Sequence, residues 1–236
     1  DKEQIFFTTF HQSMDYEEFV EGIKPETTSD NKIIYKLKDG IFKEACKSAE
    51  NNKVVLIIDE INRGNISKIF GELITLLETD KRKGKENEIE VILPYSKEKF
   101  SVPDNLYIIG TMNTADRSIG YIDYALRRRF AFISIKADKS AIENYYNINQ
   151  NSDCKDKSIN LFERIEKLIK ENINEEFEAD DIMIGHSYFM AQNFEELQNK
   201  LEYEIKPLLL EYFKDGILKS NKDEDLKDTI NNLNYE

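Results

Sequence analysis

The sequence predicts an α/β fold, a parallel sheet with flanking helices, followed by an all-helical part. Three observations lead there. The run Val54-Val55-Leu56-Ile57-Ile58 is wholly apolar, with four β-branched residues, and ends in the acid pair Asp59-Glu60. Such a run reads as a strand buried on both faces, as parallel sheets require. Two further apolar segments, Leu106–Thr111 and Phe130–Ile135, follow at distances that leave room for helices between them. Near Lys136 the composition changes, and helical spacing dominates to the end of the chain.

In chain order, Gln4–Thr9 predicts a short buried strand and Tyr16–Gly22 a short helix or turn. Ile33–Leu37 alternates as a strand does and leads to a turn at Asp39-Gly40. Ile41–Asn51 has helical spacing, and Ser67–Glu78 is amphipathic with a broad apolar face. The charged stretch Asp80–Glu88 contains Gly84 and reads as a loop. Ile89–Leu93 and Lys99–Val102 flank Pro94-Tyr95-Ser96 as the arms of a β-hairpin. Ile122–Arg128 predicts a short helix before the strand at Phe130–Ile135. Further helices are predicted over Ala141–Asn147, Ile159–Asn172, Phe194–Phe213 and Asp223–Leu233, with a boundary or kink at Pro207. The Asn-rich stretch Asn147–Lys157 reads as a loop. The expected division is an α/β subdomain over residues 1–137 and a helical one over 138–236.

Composition narrows the function. The chain has 236 residues and a formal net charge of -13, so a non-specific grip on DNA phosphates is disfavoured. No apolar segment reaches the roughly 20 residues that cross a bilayer, and the first residues do not resemble a signal peptide. Two cysteines without CxxC spacing and two histidines exclude a zinc cluster or a disulfide framework. A reducing cytoplasm is the expected setting.

Three motifs carry chemistry. Asp59 and Glu60 sit at the C-terminal end of a predicted parallel strand, where open α/β sheets bind ligands. One carboxylate there can help hold Mg²⁺ while its neighbour polarises a water. The second motif is Gly110-Thr111-Met112-Asn113-Thr114-Ala115-Asp116-Arg117-Ser118, at the end of the next strand. An Asn amide can hold a phosphate oxygen or orient a water, because it both donates and accepts. The third is Ala125-Leu126-Arg127-Arg128-Arg129-Phe130, whose guanidinium groups suit a transferring phosphoryl group. Each also has a plain structural use: solvated acids, a self-bonded polar loop, a solvated basic face.

The strings IIDEINRGN, GTMNTADRS and DYALRRRF, in this order and spacing, resemble the AAA+ motor of McrB-type proteins, the GTP-driven subunits of modification-dependent restriction systems. Phe10-His11-Gln12-Ser13 with Tyr16–Gly22 is similar to that family's segment after its second strand, and Ile184-Gly185-His186-Ser187-Tyr188-Phe189 to part of its helical lid. The resemblance spans most of residues 5–215. It implies that Asp59 helps hold Mg²⁺ through water, that Glu60 activates the hydrolytic water, and that Asn113 is the sensor contacting the γ-phosphate or that water. It further implies that Arg128 or Arg129 reaches the next subunit's nucleotide. Asn62, Arg63, Asp116 and Arg117 would form a polar network at the subunit interface. His186, Ser187 and Tyr188 would stand where related motors carry a second sensor, although His186 capping a lid helix is the plain alternative.

The implied cofactors are Mg²⁺ and GTP, with ATP the alternative. The implied partners are further copies in a hexameric ring, a McrC-like nuclease subunit, and DNA bound through other domains. A MoxR-type remodelling ATPase and a non-hydrolysing interaction module stay open as other readings. One departure stands out: no GxxxxGK[ST] occurs among the 236 residues. The family's first strand and phosphate loop are therefore expected to be missing, leaving a gap in the sheet between the strands at Leu106 and Phe130. Phosphate affinity comes largely from that loop. The 236 residues alone are expected to bind nucleotide weakly and hydrolyse it negligibly.

Overall fold

The computed structural model describes residues 4–112, 124–149, 152–219 and 223–235, which divide into two compact units, Asp1–Phe132 and Ile133–Glu236. The first unit begins with β1 (Ile5–Thr9), α1 (Tyr16–Phe19), β2 (Glu21–Thr27), β3 (Ile33–Asp39), α2 (Ile41–Ala49) and β4 (Val54–Asp59). It continues with α3 (Ile66–Phe70), β5 (Val91–Ile92), β6 (Lys99–Phe100), β7 (Leu106–Gly110) and α4 (Tyr124–Arg127).

The three long apolar strands form a parallel sheet in the order β1-β4-β7. Ile5, Val55 and Tyr107 lie in register, as do Phe7, Ile57 and Ile109. On the opposite face Val54, Leu56, Ile58 and Leu106 are fully buried under α2 residues Phe42, Ala45, Cys46 and Ala49. Burial thus alternates along the central strand, so the expectation of a strand buried on both faces is corrected to one buried on a single face. The first face leaves Phe7 60% and Ile109 52% exposed among the described residues.

Several local outcomes have clear causes. The amphipathic stretch from Ser67 is not one α-helix. It is α3 followed by a 3₁₀ stretch, Gly71–Leu77, that keeps Leu73, Leu76 and Leu77 in the core. Gly71 sits at φ +53°, ψ −131°, outside the helical region and tolerable only without a Cβ, so it breaks the helix. The predicted hairpin is present as β5 and β6, paired Val91 to Phe100 and Ile92 to Lys99. Phe130–Ile135 is not a strand: Ile133 and Ile135 are 85% and 87% exposed. A strand needs a neighbour for its N–H and C=O groups, and among the described residues the sheet ends at β7.

β2, which the sequence did not suggest, pairs antiparallel with β3 along its whole length. Pro25 is tolerated there because a two-stranded ribbon has free edges. The base of the ribbon is clamped by Lys43, whose ammonium lies 2.7 Å from Glu21 Oε2, 3.0 Å from Asp39 Oδ1 and 2.8 Å from Glu98 Oε2. Glu21 Oε1 also accepts from the N–H groups of Tyr95 and Ser96, at 3.1 and 2.9 Å. The buried charges are therefore paired and hydrogen-bonded, as burial demands. Burial pushes the Glu21 carboxyl up, but Lys43 and the Ser96 contacts outweigh it and hold it below the usual range.

The second unit is helical: α5 (Lys139–Ile148), α6 (Ser152–Asn172), α7 (Ala179–Ile182), α8 (Phe194–Lys200), α9 (Lys206–Lys214) and α10 (Asp223–Asn231). α6 starts at Ser152, so the expected loop over Asn147–Lys157 is corrected: polar residues there occupy the exposed side of a helix whose Cys154 and Ser158 are buried. Between α8 and α9, Leu201–Ile205 forms a π turn, and Pro207 sits in the first turn of α9. Proline lacks an N–H and crowds the carbonyl four residues earlier, and the widened turn accommodates both. At the centre, the Tyr146 hydroxyl donates to Phe189 O at 2.9 Å, accepts from Ala191 N–H at 3.1 Å and bonds Ser158 Oγ at 2.9 Å. Among the described residues no helix is long and apolar enough to cross a membrane.

Candidate functional site at the end of the central strand

The acids stand where β4 leaves the sheet. The Asp59 carbonyl accepts from Phe10 N–H at 2.8 Å, which ties the exit of β1 to the same edge. Glu60 then turns the chain with φ +53° and ψ +44°, a left-handed conformation unusual for glutamate. Such a residue stores on the order of 1–3 kcal/mol of strain and persists only when its surroundings hold it. The holding comes from the exit of β7. Thr111 N–H donates to Ile58 O at 2.9 Å, and Thr111 O accepts from Ile61 N–H at 2.9 Å. The Thr111 hydroxyl donates to Asp59 Oδ1 at 2.6 Å and accepts from Glu60 N–H at 3.3 Å. At Gly110 a Cβ would come 3.0 Å from the Ile61 side chain, so glycine lets the two turns approach.

Beyond the acids, Ile61–Arg63 forms a 3₁₀ turn, and Arg63 Nε lies 3.1 Å from Glu60 Oε2, an ion pair out of line for a hydrogen bond. Asn62 is half-buried and Arg63 exposed on this turn. Asn65 closes it by accepting from Lys68 N–H at 3.0 Å, capping α3. The acids, Asn62, Arg63 and Thr111 therefore share one strand end.

The three arginines differ. Arg127 is exposed, with its guanidinium 5.8 Å from the centre of the Phe132 ring. Arg128 is exposed at the end of α4. Arg129 is largely buried, and its Nη2 pairs with Glu78 Oε1 at 2.8 Å. Asn113, Asp116 and Arg117 lie outside the described residues. His186 and Ser187 belong to the second unit, in the 3₁₀ turn His186–Phe189. His186 Nδ1 is buried with no hydrogen bond among the described residues, and Ser187 is exposed, with its carbonyl accepting from Lys200 Nζ at 3.2 Å. Thr111 is the site residue that sequence reasoning passed over; its only signal is its place as the first residue after a strand.

Hard carboxylate oxygens at a strand end suit Mg²⁺, which keeps several waters and needs few protein ligands. Asp59 and Glu60 bring two such carboxylates to the end of β4, and a carboxylate can also accept a proton from water. The phosphate cradle of backbone N–H groups is not provided by a GxxxxGK[ST] within this sequence.

Comparison with known proteins bears on this geometry. Residues 2–130 match the AAA domain of the dynein-related subfamily, and residues 157–221 match the McrB alpha-helical lid domain. The chain is 39% identical over 235 residues to the type IV methyl-directed restriction enzyme EcoKMcrB subunit of Escherichia coli K12, covering 93% of the chain and 49% of that protein. It is 30% identical over 152 residues to the type II restriction enzyme BsuMI component YdiS of Bacillus subtilis 168, covering 58% of the chain and 40% of that protein. The chain thus spans about half the length, or less, of these relatives. It belongs to the AAA domain family, dynein-related subfamily. Its lid and its identity to the Escherichia coli subunit make it, within that family, a McrB-type AAA+ protein.

Proposed function

We propose that these residues are the later part of a nucleoside triphosphatase, GTP expected, that works in a DNA restriction complex. Residues 1–137 are assigned to the α/β subdomain and 138–236 to the lid. The observation that carries the reading is the acid pair at the C-terminal end of the middle strand, with Glu60 held in a left-handed turn by the exit of β7. Asp59 would hold Mg²⁺ through water, and the ion, when bound with the nucleotide, would offset charge on the phosphates. Glu60 would orient the attacking water and take its proton. Asn113 would contact the γ-phosphate, and His186 and Ser187 the nucleotide from the lid.

Of the candidate fingers, Arg128 fits reach to a neighbouring subunit better than Arg129, because Arg129 is engaged by Glu78 of its own chain. Asn62, Arg63, Asp116 and Arg117 would adjust the same subunit edge. A ring of copies, a McrC-like nuclease subunit and DNA recognition by other domains complete the proposal. The relatives named as restriction enzyme components support that setting.

The test is Glu60→Gln in the full-length protein. Turnover of GTP and ATP should fall about 10²–10⁴-fold while nucleotide binding is kept, the usual contribution of a general base. Unchanged turnover removes Glu60 from the mechanism. The 236 residues by themselves should hydrolyse GTP negligibly, and measurable turnover would overturn the need for a separate phosphate loop.

A further inference from the structure

The acid pair is held by one side chain from a different strand. Thr111 meets the end of β4 at four points: two backbone hydrogen bonds that bracket the turn, to Ile58 and from Ile61, and two made by its hydroxyl. The hydroxyl donates to Asp59 Oδ1 at 2.6 Å and accepts from Glu60 N–H at 3.3 Å, so one oxygen touches both acidic residues. A side chain that bonds one carboxylate oxygen fixes the direction of the other, as outer partners of metal ligands do. The same oxygen secures the amide of a residue at φ +53°, a conformation that relaxes without a partner. Thr111 is also exposed, on the side where β4 and β7 end, and it is followed directly by Met112 and Asn113.

We propose that Thr111 is a positioning residue: its hydroxyl sets the orientation of Asp59 and the turn at Glu60, the metal-holding and water-activating acids. The inference rests on the roles assigned above to Asp59 and Glu60. Valine at this position keeps the branched shape that suits a strand end and removes only the hydroxyl, whereas serine keeps the hydroxyl and loses a methyl group.

The experiment measures GTP turnover against Mg²⁺ concentration in the full-length protein for Thr111→Val, Thr111→Ser and Glu60→Gln. Binding of GTP in EDTA and thermal melting are followed alongside. Thr111→Val is expected to raise the Mg²⁺ concentration for half-maximal turnover, or to lower maximal turnover, by about 10- to 100-fold. Metal-free GTP binding should stay as in the unaltered protein, melting should shift by only a few degrees, and Thr111→Ser should recover most of the loss. A merely structural role would not produce a Mg²⁺-dependent defect that serine repairs. If Thr111→Val does not fold, Thr111→Ala takes its place with the same expectation. An unaltered Mg²⁺ profile in the hydroxyl-free variant, or serine as impaired as valine, overturns the inference while Glu60→Gln remains inactive. An active Glu60→Gln instead overturns the underlying catalytic reading, which keeps the two failures distinct.

Discussion

The sheet of the α/β unit and the core of the lid unit use apolar residues in opposite ways. Ile5, Phe7, Tyr107 and Ile109 stand 58%, 60%, 51% and 52% exposed on one sheet face. In the lid unit Tyr146, Phe189, Ile205 and Leu209 are at most 1% exposed. The lid therefore realises the burial energy of its large side chains, whereas the α/β unit realises it on one face only. What the sheet lacks on its open face it offsets on the other, where Phe10, Phe19, Phe42 and Phe70 pack edge-on, tilted or stacked and Lys43 draws three carboxylates together.

This contrast can be broken by substitution. Phe189 is fully buried and meets Phe162 edge-on at 5.2 Å, so Phe189→Ala should destabilise the lid transition by about 3–5 kcal/mol in urea. Phe7→Ala, on the open sheet face, should cost less than about 1 kcal/mol in the 236 residues alone. Equal effects at the two positions would refute the contrast. The same Phe7 substitution in the full-length protein then measures whether anything covers that face, since a covered Phe7 would behave like Phe189.

A smaller effect is expected at the clamp. Lys43→Met should destabilise the α/β unit by about 3 kcal/mol and leave the lid transition unmoved. The loss falls at the low end for a broken buried pair because Glu21 keeps the amides of Tyr95 and Ser96. Urea melts of the variant, followed by signals from each unit, check it. Loss from both units would mean that they do not unfold separately.

How far the fold was legible follows from where each signal lives. Val54–Ile58 and its acids were legible because a β-branched run ending in charge is a local pattern. Whether one face or both would be covered was not, because that depends on what packs there. Phe130–Ile135 has the composition of a strand, yet strand formation depends on a partner that composition does not reveal. β2 was hidden by Pro25 and by charges that pair across to β3. Gly71 and Pro207 were visible as interruptions, but the resulting 3₁₀ and π turns depend on what each segment must keep buried. In the site, Asp59 and Glu60 announced themselves by adjacency. Thr111 carries no pattern of its own, and only the pairing of β4 with β7 brings it to them.

The smallest effect concerns the outer part of the β2–β3 ribbon, where Glu26 is paired at the surface rather than buried. Glu26 lies 2.7 Å from Lys36 Nζ and 2.5 Å from Lys38 Nζ, and these ammonium groups hold its carboxyl down at about 2, from an ordinary 4.5. Because the folded value is the lower one, folding favours the ionised form. The contribution is complete above the ordinary carboxylate value and is lost as pH falls through it toward about 2. Both partners are solvent-accessible, so salt should weaken the effect, unlike the buried clamp at Lys43. An NMR titration of the Glu26 carboxyl carbon should find its midpoint well below that of an unpaired glutamate at low salt. Lys36→Gln should move it upward, and so should added salt. A midpoint in the ordinary range at low salt would mean that the pairing does not persist in solution. The ribbon would then depend on its backbone ladder and the Lys43 clamp alone.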